Sequence, residues 1–374
     1  MPRPSVNRSF WSGRKVFVTG HTGFMGGWLT LALARMGARV SGFSLPPPTQ
    51  PNLFTAARVD AACRTTIGDV RDADALARAV AECEPDVVLH LAAQPLVRKA
   101  YAEPVETYAT NVMGTVHLMD AVRRTPSAAA VVVITSDKAY DNREWPWGYR
   151  ETDALGGREP YGNSKACAEF VVEAYRRSYF GGGRTGIATV RAGNIIGGGD
   201  WATDRLIPDA VRAFAAGKTL KIRHPNAVRP FQHVLDPVRG MMMLAERVAA
   251  QPGELDSGWN FGPSEDDTRS AGWMAERAAQ LWGPTAHWQA EPTAGPHEAK
   301  LLVLSSAQAQ TRLGWRPTWD AEAALARAVT WYRTFYDGAD IAPLTQAQMN
   351  DHDITSSAES SHERDAQVEA KPAA

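Results

Sequence analysis

The chain has 374 residues, with 40 basic and 41 acidic side chains and a formal net charge of −1. That length suits one large domain or two smaller ones, and the balance of charge argues against nucleic acid or a membrane surface as partner. Three cysteines, Cys63, Cys83 and Cys167, show no metal-ligand spacing and read as reduced core residues of a cytoplasmic protein.

No apolar run approaches the ~20 residues of a membrane span. The basic start, Met1 to Arg14, lacks the apolar core of a signal peptide. Val16 to Val18 is a short apolar strand ending in Thr19, and glycines follow at Gly20, Gly23 and Gly26. Apolar residues then resume with helical spacing through Phe24, Met25, Leu29, Leu31 and Leu33. A strand, a tight turn and a helix in this order let backbone approach a pyrophosphate while the helix N-terminus faces the anion. Gly20, Thr22, Gly23, Phe24, Met25 and Gly26 are therefore candidate dinucleotide contacts.

Ala38 to Phe43 reads as a second strand. An NAD site normally has an acidic residue at its end, whereas Ser44, Leu45 and Pro46 to Pro48 stand here, so NAD and NADP both remain open. Thr65 to Ile67 is a third strand entering a helix through Asp69 and Val70, where Asp69 serves equally well as a helix N-cap. Asp86 to Leu91 is a fourth, buried strand. The small residues in Leu91-Ala92-Ala93-Gln94 permit close approach of a cofactor or ordinary helix packing. Val131 to Thr135 is a fifth strand, apolar and β-branched as in a parallel sheet covered on both faces.

This alternation predicts a Rossmann-like, doubly wound parallel α/β sheet over roughly the first 190 residues. From about Gly197 shorter helices take over, at Pro208 to Ala216, Pro237 to Val248 and Ala321 to Tyr336. They suggest a smaller, mixed α/β substrate-binding lobe, with Val190 to Ile196 returning to the main sheet. The expected division is 11–196 mainly for NAD, 197–345 mainly for substrate, and a polar, disordered tail over 350–374.

Two short stretches carry chemistry. Tyr161 and Lys165 lie four apart, on one helix face, where an ammonium near a phenol favours phenolate and makes a general base. At the end of the fifth strand stand Thr135, Ser136, Asp137 and Lys138. Ser136, or else Thr135, can bond a reacting oxygen beside the tyrosine. Asp137 could merely close an Asx turn and Lys138 be a solvated charge. An acid and a potential base at a strand C-terminus, however, are what elimination of water requires beyond hydride transfer.

The Gly20-Gly23-Gly26 spacing resembles that of extended short-chain dehydrogenase/reductases. Thr135 to Lys138, Asp141 to Glu151, Tyr161 to Lys165, Leu91 to Arg98, Arg191 to Trp201 and Arg229 to Asp236 together resemble the CDP-glucose 4,6-dehydratase family. The likeness runs from about Trp11 to Tyr336. Sister dehydratases carry an Asp-Glu or similar pair where Asp137-Lys138 stands, and Phe231 replaces a more usual tryptophan.

The resemblance implies NAD as cofactor, with Asp69-Val70 by the adenine and Leu91 to Gln94 along the dinucleotide. It implies CDP-glucose as substrate and a homodimer or homotetramer built on helices Glu103 to Arg123 and Tyr161 to Tyr179. It also implies a role in deoxysugar and polysaccharide biosynthesis. Tyr161 would take the 4-hydroxyl proton, Lys165 lower its pKa, Ser136 bond the 4-keto oxygen, and Asp137 protonate the leaving 6-hydroxyl. Lys138 would be the C5 base or an enolate stabiliser. Arg229, Asn194, Arg205, His233 and Arg98 are candidates for the diphosphate, and Trp201 or Phe231 for the base. His224, His287 and His297 have no spacing that argues for a metal. A 4-epimerase or reductase of this fold would need no acid–base pair after Ser136, and a silent NAD-binding scaffold would be expected to lack Tyr161 or Lys165.

Overall fold

The computed structural model describes residues 5–291 and 299–354. Seven strands make one sheet: β1 Lys15–Thr19, β2 Arg39–Ser44, β3 Arg64–Ile67, β4 Val87–His90, β5 Ala130–Ile134, β6 Gly186–Ala192 and β7 Gly258–Phe261. Their spatial order is β7-β6-β5-β4-β1-β2-β3 and every neighbouring pair is parallel. The order reverses between β1 and β4, which opens a crevice beyond their C-terminal ends.

Alternation along the strands sorts the core. Val16, Val18 and Val132 join one apolar cluster, whereas Phe17, Val131 and Val133 point the other way into a second. Helix Phe24–Arg35 covers the first face with Trp28, Leu29 and Leu33, and the Trp28 indole donates to the Gly198 carbonyl at 2.9 Å. Helices Ala73–Cys83 and Gly114–Arg124 cover the second face through Leu76, Val80, Leu118 and Val122.

The five expected strands are present with bounds shifted by a residue or two. Val190 to Ile196 is a mixed outcome. Residues to Ala192 belong to β6, but Ile195–Ile196 leaves the sheet to pair with Gln232–His233. The strand β7 is not among the expected strands, because the alternation Trp259-Asn260-Phe261 is too short to establish a period. Helix Leu235–Ala250 lies in the second half of the chain yet packs on β5 and β6, so the two halves interleave.

The expected helix from Glu103 to Arg123 is one continuous run, Pro104–Tyr108, a π-helical turn Ala109–Met113, and Gly114–Arg124. In that turn Asn111 accepts from Gln94 N at 2.8 Å and donates to Ser164 Oγ at 2.9 Å, tying it to the helix that carries Tyr161. Of the expected tail over 350–374, residues 350–354 are described. Helix Ala342–Asp351 runs into them, and His352 is fully buried 2.9 Å from Asp236. Residues 355–374 lie outside the described residues.

Candidate active site

The glycine turn is built for close backbone approach. Gly20 has φ +79° and a Cβ there would sit 2.7 Å from Ala92 N, while a Cβ on Gly26 would run into the Gly20 carbonyl. Gly23 N-caps helix Phe24–Arg35 without a side-chain bond, and no acid lies in the first turn, so the N-terminal N–H groups keep their positive end. Thr22 Oγ1 lies 2.8 Å from Ser44 Oγ and donates to Leu45 O at 2.8 Å, which fixes the chain where an acid was sought. Phe24 lines a small cleft with Thr22 and Trp201, and Met25 packs on the core.

Asp69 does not cap the following helix; Asp72 does, accepting from Ala75 N at 2.9 Å. Asp69 instead grips Arg71, at 2.9 Å to its backbone N and 2.8 Å to Nε, and this pairing holds its carboxyl below the usual range. Val70 is buried against Gly114. Leu91 N and Ala92 N donate to Thr19 Oγ1 at 3.1 Å, and Ala93 is half-buried beside them. Gln94 spends its side chain on the turn itself, bonding Thr107, Leu96 O and Leu96 N.

Beyond the ends of β5 and β6 lies a cavity of about 530 Å³ whose walls include Ser136, Asp137, Lys138 and Tyr161. Tyr161 opens helix Pro160–Tyr179, whose first N–H groups are capped by Glu159. Ser136 donates to Asp137 Oδ1 at 3.0 Å and accepts from Lys138 N at 3.2 Å, so the turn after β5 is pinned by one hydroxyl.

Asp137 is 3% exposed, and its Oδ2 has no hydrogen-bond partner among the described residues. Burial pushes its carboxyl up, against the opposing pull of Lys138, Ser136 and Arg229. Burial likewise pushes the Tyr161 phenol up to about 12, opposed by its bond to Ser136 and the charge of Arg205. Lys165 is brought down to about 8 by burial, with Glu169 opposing, and its Nζ donates to Ile134 O at 3.2 Å. The expected lowering of Tyr161 by Lys165 is thus corrected. The lysine is turned toward a carbonyl, and desolvation of the phenol outweighs the cations near it.

Arg98, Asn194, Arg205, Arg229 and Phe231 also line this cavity. Arg98 and Arg223 converge on Asp204 Oδ1, at 3.0 and 3.2 Å, across the rim between the two halves of the chain. Arg205 pairs with Asp200 at 2.8 Å. Arg229 is 5% exposed and donates to Val228 O and Ala299 O.

Three candidates fall elsewhere. Thr135 donates to Glu169 at 2.5 Å and is turned away from the cavity. Trp201 packs among Trp331, Tyr332 and Phe335, and His233 is sealed between Trp28 and Trp319, neither of them reaching the cavity. Conversely, Asp204 and Arg223 line the cavity from irregular loops where no motif marks them, and Asp200 joins them from the end of the Arg191 to Trp201 motif, where it is not among the candidate site residues. His297 lies outside the described residues.

A family model described as GDP-mannose 4,6 dehydratase matches residues 17–328. The CDP-glucose 4,6-dehydratase of Salmonella typhimurium is 46% identical over 352 residues, covering 93% of this chain and 98% of that protein. A dTDP-glucose 4,6-dehydratase of Xanthomonas campestris is 25% identical, covering 85% and 92% respectively. Among solved structures, MoeE5 in complex with UDP-glucose and NAD superposes with a TM-score of 0.74 at 25% identity, over 86% of this chain and 99% of that one.

Proposed function

The chain belongs to the GDP-mannose 4,6-dehydratase family of extended short-chain dehydrogenase/reductases, and we propose that it removes water from CDP-glucose to give CDP-4-dehydro-6-deoxyglucose, with NAD as a recycled cofactor. The observation that carries the reaction type is Asp137. It is a buried carboxyl whose neutral form burial favours, with one oxygen lacking a hydrogen-bond partner among the described residues, one residue from Ser136 and in the same wall as Tyr161. The 46% identical relative carries the choice of CDP-glucose.

NAD fits the glycine turn, where the missing side chains of Gly20 and Gly26 let the turn close against Ala92 and against its own backbone beside a helix N-terminus that no side chain caps. Held there, NAD would supply the hydride acceptor and donor that oxidation at C4 and reduction at C6 require, together with a positive nicotinamide charge. Tyr161 accepts the 4-hydroxyl proton, and Ser136 bonds the oxygen as it becomes a ketone. That ketone acidifies C5–H, and Lys138, on the same wall, faces the C5 proton or the resulting enolate. Asp137 gives its proton to the departing 6-hydroxyl. Lys165, one turn from Tyr161 on the same helix, would hold the cofactor's ribose. Arg98, Arg205 and Arg229, with Asn194, supply the charge and donors for the diphosphate, and Phe231 an apolar wall.

Residues 11–196 mainly carry the cofactor and 197–345 mainly the substrate. Val105, Met113, Phe170 and Tyr179 are exposed on the two helices that the dimer reading uses, which supports a homodimer or dimer of dimers. Three free cysteines support a cytoplasmic setting, and deoxysugar formation for polysaccharide is the role that fits such a product.

Mass spectrometry of the protein with NAD and CDP-glucose, beside UDP-glucose, dTDP-glucose and GDP-mannose, tests the reading. Loss of one water from CDP-glucose alone, without net NADH, is expected. Water loss from a different sugar nucleotide would overturn the substrate, and no water loss from any would overturn the reaction.

A further inference from the structure

Helix Pro160–Tyr179 carries Tyr161, then Lys165, and one turn later Glu169, which the dehydration leaves without a role. Glu169 is 5% exposed, yet its carboxylate collects four hydrogen bonds. Thr135 Oγ1 and Thr189 Oγ1 donate at 2.5 Å each, Arg191 Nε at 2.9 Å and Arg191 Nη2 at 3.1 Å. Arg191 passes the connection on, donating from Nη1 to Tyr140 Oη at 2.8 Å and to Glu151 O at 3.1 Å. Tyr140 in turn donates to Asn260 Oδ1 at 2.8 Å.

A buried ion pair adds little net stability over apolar residues of the same size, because desolvation offsets the attraction. Fold stability is thus a poor reason for this one, and its neighbours suggest another. Thr135 directly precedes Ser136, so the carboxylate grips the strand end from which Ser136 and Asp137 project. Lys165 lies one turn back on the same helix face. Around Lys165 stand Tyr161 and Glu169 on its own helix, the Ile134 carbonyl of β5, His90 of β4, and Arg191 of β6 behind Glu169.

We propose that Glu169 is a positioning residue for the dehydration, holding the Ser136–Asp137 turn through its bond from Thr135 and acting by charge on Lys165 one turn back, so that both stay in register with Tyr161. The inference rests on the dehydratase reading for the reaction it serves. Its electrostatic side is directional. Burial disfavours the Lys165 ammonium and the negative charge of Glu169 restores it, so losing that charge brings deprotonation to a lower pH.

The test uses the full chain with NAD and compares wild type, Glu169→Gln, and the double variant Glu169→Met/Arg191→Met, which removes both members of the ion pair. Two quantities are read: kcat and KM for CDP-glucose against pH, and the Lys165 titration by ¹³C NMR of the labelled lysine, assigned with Lys165→Met. In both variants kcat is expected to fall on the order of tenfold or more while KM changes little. The alkaline limb of kcat and the Lys165 titration are expected to move down together by about one pH unit or more. A lowered melting temperature with the limb and the titration both unmoved would overturn the proposal, leaving Glu169 a structural residue. A wild type inactive on CDP-glucose, with the titration still moved, would sink the dehydratase reading yet uphold the tie between Glu169 and Lys165.

Discussion

Asp137 and Asp236 are both buried, at 3% and 0% exposure, and each has an Oδ2 without a hydrogen-bond partner among the described residues. Their carboxyls are nevertheless driven in opposite directions. Asp236 Oδ1 accepts from Thr318 N at 2.6 Å and pairs with His352 Nε2 at 2.9 Å, and these contacts overcome burial and hold it below the usual range. Asp137 has the charges of Lys138 and Arg229 near it, but only the Ser136 hydroxyl bonds it from a side chain, and burial wins. Asp236 is enclosed by aromatic rings, with Trp319 packed on both His233 and His352, whereas Asp137 opens on the large cavity. An orphaned buried oxygen therefore does not mark a catalytic acid by itself. What marks it is a neutral form favoured by the surroundings, together with a space into which the proton can go.

The contrast can be broken by substitution. Asp137→Asn is expected to lower kcat by about 10²–10⁴, the usual contribution of a general acid, without loss of melting temperature. Product formation and thermal melts check both halves, and an active Asp137→Asn enzyme would erase the distinction. Asp236→Asn should do the reverse. Weakening the hydrogen bonds that a buried carboxylate accepts from Thr318 N and His352 is expected to cost about 1–3 kcal/mol in a denaturant titration, while activity per folded molecule persists.

Acid sharpens the comparison further. His90 and His233 are held near 3 by burial, far below their unfolded value. A depressed folded pKa means that the unfolded chain binds the proton first. Stability is full above the unfolded pKa near ~6.5 and falls as pH drops toward the folded value, by about 1.4 kcal/mol per pH unit for each histidine. Asp236, also depressed, adds to the loss only at lower pH. Urea midpoints at a series of pH values should show this slope, and His233→Gln should lessen it. The smallest effect is expected at the rim, where the Asp204 side chain is 35% exposed. Asp204→Asn should alter stability by less than about 1 kcal/mol and KM by no more than a few-fold.

How much of this was legible depends on whether neighbours in space are neighbours in sequence. Ser136, Asp137 and Lys138 sit on one turn, and Tyr161 and Lys165 on one helix face, so local spacing was enough to place them together. Thr135, one residue from Ser136, points the other way because successive strand residues alternate, and the sequence does not say which side faces the ligand. Trp201 and His233 looked like ligand contacts because they stand in motifs with Arg191 and Arg229. What surrounds them, Trp331, Phe335 and Trp319, comes from more than eighty residues further along the chain. The raised phenol of Tyr161 was illegible for the same reason, since desolvation depends on everything packed around the ring. Helix Ala321–Tyr336 was read with its observed ends, its start being fixed locally by Asp320, which accepts from Ala323 N.

The arrival of β7 has a consequence for synthesis. A ribosome that has delivered β6 has not yet made Asn260, so Tyr140 still lacks its acceptor and the far side of β6 is a bare edge of unpaired backbone groups. Every intermediate length up to residue 261 therefore exposes a parallel β edge capable of pairing with another nascent copy. A fragment ending before β7 is expected to accumulate as aggregate when expressed alone.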